Sequence, residues 1–171
     1  MTKFIKSVVM VLVCALILPG YKSPAVERLG YTIVKDGDTI QIDKINIRLY
    51  GIDAPETKQL CYDSNSTPWK CGMAAKEFLN QLINEQEVKC TVHRIDIYKR
   101  EVATCYVDDI DINKAMVENG YAVAYRYYSK QYSTDEIKAK KQFLGIWKTA
   151  FMEPEQWRRY NKHLQKMKKT S

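Results

Sequence analysis

An α+β domain with a five-stranded sheet and about three α-helices is the architecture the sequence predicts, and three observations carry that prediction. Runs rich in β-branched and aromatic residues, broken by turn residues, fill the first third of the chain and recur around residues 88–107. Apolar residues at helical spacing lie between and after them. The length of 171 residues, with 46% hydrophobic and 27% charged side chains, suits one core plus appendages.

In chain order, residues 1–25 read as a secretory signal. Lys3 and Lys6 precede an apolar run over residues 8–18, then come Pro19 and Gly20, then Ser23-Pro24-Ala25. The run is shorter than the ~20 residues that cross a bilayer, so no stable membrane span is expected in the mature form. An uncleaved N-terminal anchor is the alternative. The domain proper is expected over residues 26–150, opening with a three-stranded meander at about 31–34, 39–42 and 45–50 in which Asp43-Lys44 is the second tight turn. Residues 64–68 are polar and loop-like. Ala75, Phe78, Leu79, Leu82 and Ile83 then define the buried face of a helix. Strands near 88–93 and 102–107 follow, joined by Asp96-Ile97-Tyr98-Lys99-Arg100. A short helix carries Ile112, Ala115 and Met116 and ends at Gly120. Ser133-Thr134-Asp135-Glu136 has the form of a capping box, opening a last helix towards Phe143. Residues 151–171 form a C-terminal extension in which Phe151 and Trp157 are expected to return to the barrel. Its basic end, Arg158, Arg159, Lys162, Lys166, Lys168 and Lys169, reads as a solvated tail.

Two acidic turns hold the chemistry. Asp36-Gly37-Asp38-Thr39 and Asp53-Ala54-Pro55-Glu56 bracket a strand bearing Arg48, which gathers four carboxylates and a guanidinium within twenty-one residues. Each turn alone is also what closes an ordinary hairpin. Together they offer oxygen ligands for a hard cation and a fork for a phosphate. The formal charge of +7 falls to about +4 if Lys3, Lys6 and Lys22 leave with the signal. A moderately basic surface of that kind accommodates phosphate backbones.

Of five cysteines, Cys14 lies in the presumed signal, leaving the even set Cys61, Cys71, Cys90 and Cys105. Three pairings are open, as are four free thiols. The favoured pairing joins Cys61 to Cys71 across a polar loop and Cys90 to Cys105 between two strand-like segments, which implies an oxidising compartment, secreted or periplasmic. Zinc is poorly served, because there is no Cys-x-x-Cys and His93 and His163 are the sole histidines. The same scarcity excludes nucleases that work through a histidine pair.

Five short strands, an intervening helix and an acidic pocket in a basic protein fit a small Greek-key barrel of the oligonucleotide-binding type, although periodicity alone does not choose it over another α+β sheet. The motifs do. Val34-Lys35-Asp36-Gly37-Asp38-Thr39, the run Ile47-Arg48-Leu49-Tyr50-Gly51-Ile52-Asp53-Ala54-Pro55-Glu56-Thr57, Asp96-Ile97-Tyr98-Lys99-Arg100, Asn113-Lys114-Ala115-Met116-Val117, Ala124-Tyr125-Arg126-Tyr127 and Gly145-Ile146-Trp147 resemble, in order, the staphylococcal nuclease family.

That resemblance, over roughly residues 30–150, implies a five-stranded OB-fold barrel and a monomeric, calcium-dependent enzyme. It implies cleavage of DNA and RNA with little sequence preference, on the 5′-oxygen side, leaving 3′-phosphates. Asp38, Asp53 and the carbonyl of Ala54 would hold one calcium ion, with Asp36 in an outer position. Glu56 would orient or deprotonate the attacking water, Arg48 and Arg100 would grip the phosphate, and Tyr98, Tyr125 and Tyr127 would flank the nucleotide. In the family, glycine usually precedes the arginine corresponding to Arg100. Lys99 stands there instead, so the turn that aims the guanidinium is strained if it needs positive φ. The alternative is a barrel that binds single-stranded nucleic acid or a protein without cutting. The complete set Asp38, Asp53, Glu56, Arg48 and Arg100 argues against it.

Overall fold

A computed structural model describes residues 25–170. The expected signal segment therefore lies, apart from Ala25, outside the described residues. The described elements run β1 (Val26–Gly30), β2 (Ile33–Val34), β3 (Thr39–Ile42), β4 (Ile45–Leu49), β5 (Ile52–Asp53), β6 (Cys61–Tyr62), β7 (Pro68–Trp69), α1 (Cys71–Ile83), β8 (Val88–Ile95), β9 (Glu101–Val107), β10 (Ile110–Asp111), α2 (Ile112–Glu118), β11 (Val123–Ala124), α3 (Ser133–Lys141), a 3₁₀ turn (Gly145–Lys148) and α4 (Pro154–Thr170). The fold is α+β. Its main sheet, ordered β1-β8-β9-β4-β3-β2 with β10 on β9, curls into the half-barrel of an OB fold.

The β3–β4 hairpin turns at Asp43 and Lys44, whose φ angles of 46° and 68° are those of a type I′ turn matched to the twist of the strands. Its register sets Arg48 opposite Thr39. β4 and β9 pair in parallel, with Arg48 beside Val102 and Ile47 beside Glu101, so Arg100 comes within two register positions of Arg48. Ile40, Ile42, Ile47 and Leu49 meet Leu79 and Ile83 of α1 and Ile112 and Met116 of α2 in the main core. Buried Asn113 pins three segments, accepting the Cys105 N–H at 3.1 Å and donating to the carbonyls of Tyr50 and Ala103 at 2.9 and 3.1 Å.

Both favoured disulfides are present, Cys61–Cys71 and Cys90–Cys105. The second joins directly facing residues of β8 and β9. Among the described residues, no helix is long and apolar enough to cross a membrane.

Four elements differ from the expectations. The first expected strand shrinks to Ile33–Val34, while β1 adds an edge strand on β8, fastened by Arg28 to Glu101 at 2.9 and 2.5 Å. The capping box does not form: Ser133 opens α3 from inside it, with a buried and unpartnered hydroxyl. Glu136, only 1% exposed, instead accepts the Ala124 N–H at 3.0 Å and pairs with Arg126 and Lys140, clamping β11. Finally, the residues read as a solvated tail form the 17-residue helix α4.

Candidate active site

Asp38 and Asp53, 3% and 1% exposed, converge on one guanidinium. Arg48 Nη1 donates to Asp38 Oδ1, while Nη2 donates to Asp53 Oδ1 at 2.7 Å and to the Ile52 carbonyl at 3.2 Å. The hairpin register brings Arg48 next to Asp38, and the pairing of Asp53 with Val123 of β11 fixes the second carboxylate. The two acidic turns touch because Gly37 has no side chain, since a Cβ there would lie 2.7 Å from that of Ala54. The Ala54 N–H then reaches Asp38 Oδ2 at 2.8 Å. Asp36 accepts the Asp38 N–H at 3.0 Å, shaping the first turn. Burial pushes Asp38 up to about 7 against the pull of Arg48 and the Ala54 N–H, with Asp36 and Asp53 adding to the rise.

Glu56, at one-third side-chain exposure, stands beside this pair. Its loop is held from beneath by the start of α1, where a Cβ on Gly72 would overlap the Glu56 carbonyl oxygen at 1.7 Å. Buried Gln59 ties the same loop to the segment before α4. Its Oε1 accepts the Glu56 N–H at 3.2 Å, and its Nε2 donates to the Met152 carbonyl at 2.6 Å.

A cavity of about 730 Å³ opens over Arg48, Glu56 and Arg100. Asp96 accepts the N–H groups of Tyr98 and Arg100 and the Nε of Arg100, each at 2.9 Å. That grip orients the terminal fork without consuming it. Lys99 sits at φ 63°, so the turn does demand the left-handed conformation glycine would supply cheaply. Tyr98 and Tyr125 line the cavity, but Tyr127 does not and is 81% exposed. Tyr128 and Arg94, which sequence reasoning did not single out, line it together, with the guanidinium 4.2 Å from the ring centre.

A residue that sequence reasoning assigned to a solvated tail, Arg158 of α4, is brought into this cluster. Its Nη1 and Nη2 donate to Asp53 Oδ1 and Oδ2, and Nη1 also to Glu56 Oε1, all at 2.9 Å. Burial lowers its proton affinity, but Asp53 and Glu56 more than restore it, leaving Arg158 above the ordinary arginine value. A signal existed in the sequence. Arg158 falls on the stripe formed by Pro154, Trp157, Asn161 and Leu164, the half-buried or buried side of α4, and not on its basic outer side.

The donor set suits a hard divalent cation, since two convergent buried carboxylates provide the oxygens such ions select. Every one of those oxygens holds an N–H donor here, and among the described residues no cluster of three or more His, Cys, Asp or Glu is assembled as a ready metal cage. A cation would enter by exchange.

Comparison with known proteins gives the context of this arrangement. A family model described as staphylococcal nuclease homologue matches residues 46–149, which span β4, the Glu56 loop, both arginines Arg48 and Arg100, and α3. The chain belongs to the staphylococcal nuclease family. It is 34% identical over 148 residues to a micrococcal nuclease of Shigella flexneri, covering 76% of this chain and 79% of that protein. The succinoglycan biosynthesis protein ExoI of Rhizobium meliloti (strain 1021) is 32% identical over 140 residues, with 80% and 73% covered. An uncharacterized endonuclease of Haemophilus influenzae is 32% identical over 137 residues, with 75% and 71% covered. As a member of the staphylococcal nuclease family, the chain is a nuclease whose substrate class is nucleic acid. Arg158 and the whole of α4 lie beyond the segment that the family model matches, which begins after Asp36 and Asp38.

Proposed function

We propose that this nuclease is a calcium-dependent phosphodiesterase that hydrolyses DNA and RNA with little sequence preference, cleaving on the 5′-oxygen side and leaving 3′-phosphates. The observation that carries the reading is the convergence of the sealed carboxylates of Asp38 and Asp53 beside Glu56 on a cavity lined by Arg48 and Arg100. Asp38, Asp53 and the carbonyl of Ala54 would hold the ion, with Asp36 in an outer position. Bound there, calcium would neutralise charge on the non-bridging phosphate oxygens.

The residues divide the remaining work. Arg100 presents its fork to two phosphate oxygens while Asp96 steadies its Nε. Arg48 holds the carboxylates together and turns the same planar donors to the phosphate as negative charge builds on it. Glu56, which lines the same cavity and keeps a third of its side chain open to solvent, receives the proton of the attacking water. Tyr98, Tyr125 and Tyr127 offer ring faces for stacking, which is indifferent to base identity. The two disulfides support an extracytoplasmic location, secreted or periplasmic.

The test is digestion of single-stranded DNA, duplex DNA and RNA in calcium, magnesium or chelator by wild type and Glu56→Gln. Cleavage should cease in chelator and fall about 10²–10⁴-fold in the variant, with its circular dichroism unchanged. Equal cutting by the variant would remove Glu56 from its role, and cutting in chelator would remove the ion. Tight binding of nucleic acid by wild type without cleavage in either metal would favour the non-catalytic barrel.

A further inference from the structure

We infer that Arg158 is a tethered counter-cation which competes with the divalent ion for Asp53, so that loading the site requires the Arg158 side chain to leave it. The inference rests on the metal reading of Asp38 and Asp53 proposed above. It goes beyond that reading by assigning α4 control of the ion's access.

The geometry is that of a filled site. Both carboxylate oxygens of Asp53 are taken by the two ends of one guanidinium, the strongest form of charge-assisted pairing, and the same Nη1 reaches Glu56. While Arg158 stays, Asp53 has no oxygen without a donor and Glu56 is held as half of an ion pair, which opposes its acting as a base. Occupancy favours exchange over addition. Arg48 holds Asp38 Oδ1 and Asp53 Oδ1 while Arg158 holds both oxygens of Asp53, so a cation drawn to Asp53 meets the like charge of two guanidiniums, and departure of Arg158 removes one of them.

Of the two arginines, Arg158 is the one able to go. Arg48 is 16% exposed, sits within β4 and is also held by the Ile52 carbonyl. Arg158 is 36% exposed and projects from a helix whose outer side, including Arg159 and Lys162, faces solvent. The start of α4 stays anchored through buried Pro154 and the Gln59–Met152 hydrogen bond. Departure therefore needs only the side chain or the following turns to swing.

Titration calorimetry with calcium chloride alone, on wild type, Arg158→Lys and Arg158→Gln, tests this without any substrate. Affinity should rise in that order, with Arg158→Gln binding roughly tenfold or more tightly than wild type, since the competing bidentate pair is gone. Equal or weaker binding by folded Arg158→Gln would overturn the competition while leaving calcium binding in place. Absence of calcium binding in wild type and both variants would overturn the metal reading and this inference with it. Hydrogen exchange of the wild type decides independently of any variant's folding. Calcium should speed exchange of the Arg158 guanidinium N–H protons as they leave Asp53 and Glu56, and unchanged or slower exchange of those protons would refute the exchange.

Discussion

Arg48→Met removes the guanidinium on which both buried carboxylates converge while keeping a side chain of similar reach. Asp53 would retain the Arg158 fork, but Asp38 would be left with the Thr39 hydroxyl at 3.2 Å and the Ala54 N–H at 2.8 Å. Removing one partner of a buried ion pair costs about 3–5 kcal/mol, because the other charge stays buried without it. Against a total stability of about 5–15 kcal/mol, the variant still folds. The cost should depend on pH. Burial already raises Asp38 from 3.8 to about 7, so the native state holds its proton more readily than the unfolded chain. Its contribution is therefore complete below about pH 3.8 and lost as pH rises through about 7. Arg48 pulls that value down, and its removal carries the loss higher and makes it deeper. Urea unfolding followed by circular dichroism in chelator should show Arg48→Met weaker by about 3–5 kcal/mol at pH 8 and nearer to wild type at pH 5. A deficit below about 1 kcal/mol at pH 8, or one that does not shrink in acid, would refute the claim that Arg48 offsets a buried carboxylate charge.

Asp96→Ala should lower stability by about 1 kcal/mol and cleavage by ~10-fold or more, since it frees the Arg100 fork from its mount. Burial pushes Asp96 up, but the backbone and guanidinium of Arg100 and the Tyr98 N–H outweigh it and hold the value below 3.8. Its stabilisation is thus present above that pH and lost below it, so the gap between wild type and variant should close in acid melts. A gap that widens in acid would contradict this. Lys99→Gly relieves an L-residue at φ 63°, a cost of about 1 kcal/mol that the greater freedom of glycine in the unfolded chain partly cancels. A thermal midpoint higher by about 1–3 °C is expected, and a lower one would mean that Lys99 contributes a contact outweighing its strain.

What was legible in the sequence was whatever is local and periodic. Ala75, Leu79 and Ile83 announced the buried face of α1, and Asp43-Lys44 announced the hairpin that aligns Arg48 with Thr39. The acidic turns were legible because they lie close to Arg48 in the chain. β1 was not, because Val26 and Leu29 remain 52% and 62% exposed on an edge strand whose attachment depends on Glu101, 73 positions away from Arg28. The capping box failed for a related reason. Glu136 is more strongly required by the Ala124 N–H and by Arg126 than by the end of its own helix, a demand visible only once β11 is placed. Arg158 stands 105 positions from Asp53 in a helix rich in basic residues, so composition hid it and only its place on the inner stripe marked it.

The location of the site follows from one parallel pairing in an otherwise antiparallel sheet. β4 and β9 run in the same direction, and the return between them is made by β8, which pairs antiparallel with β9 and hands the chain to it through the turn bearing Tyr98 and Arg100. Before β8 come β5 with Asp53, the Glu56 loop, the β6–β7 hairpin and α1, with Cys61 of β6 bonded to Cys71 at the start of α1. The excursion leaves from the end of β4, just past Arg48, the chain rejoins the sheet at β8, and β9 begins just past Arg100. Pairing Ile47 with Glu101 keeps Arg100 within two register positions of Arg48, so both line one cavity, and Gly37 lets the turn before β3 close against the acidic loop. α4 is the one contributor outside this logic. It reaches Asp53 from a helix that follows the last strand by about thirty residues, which makes Arg158 an addition to a site whose carboxylates and other arginines the sheet topology already assembles.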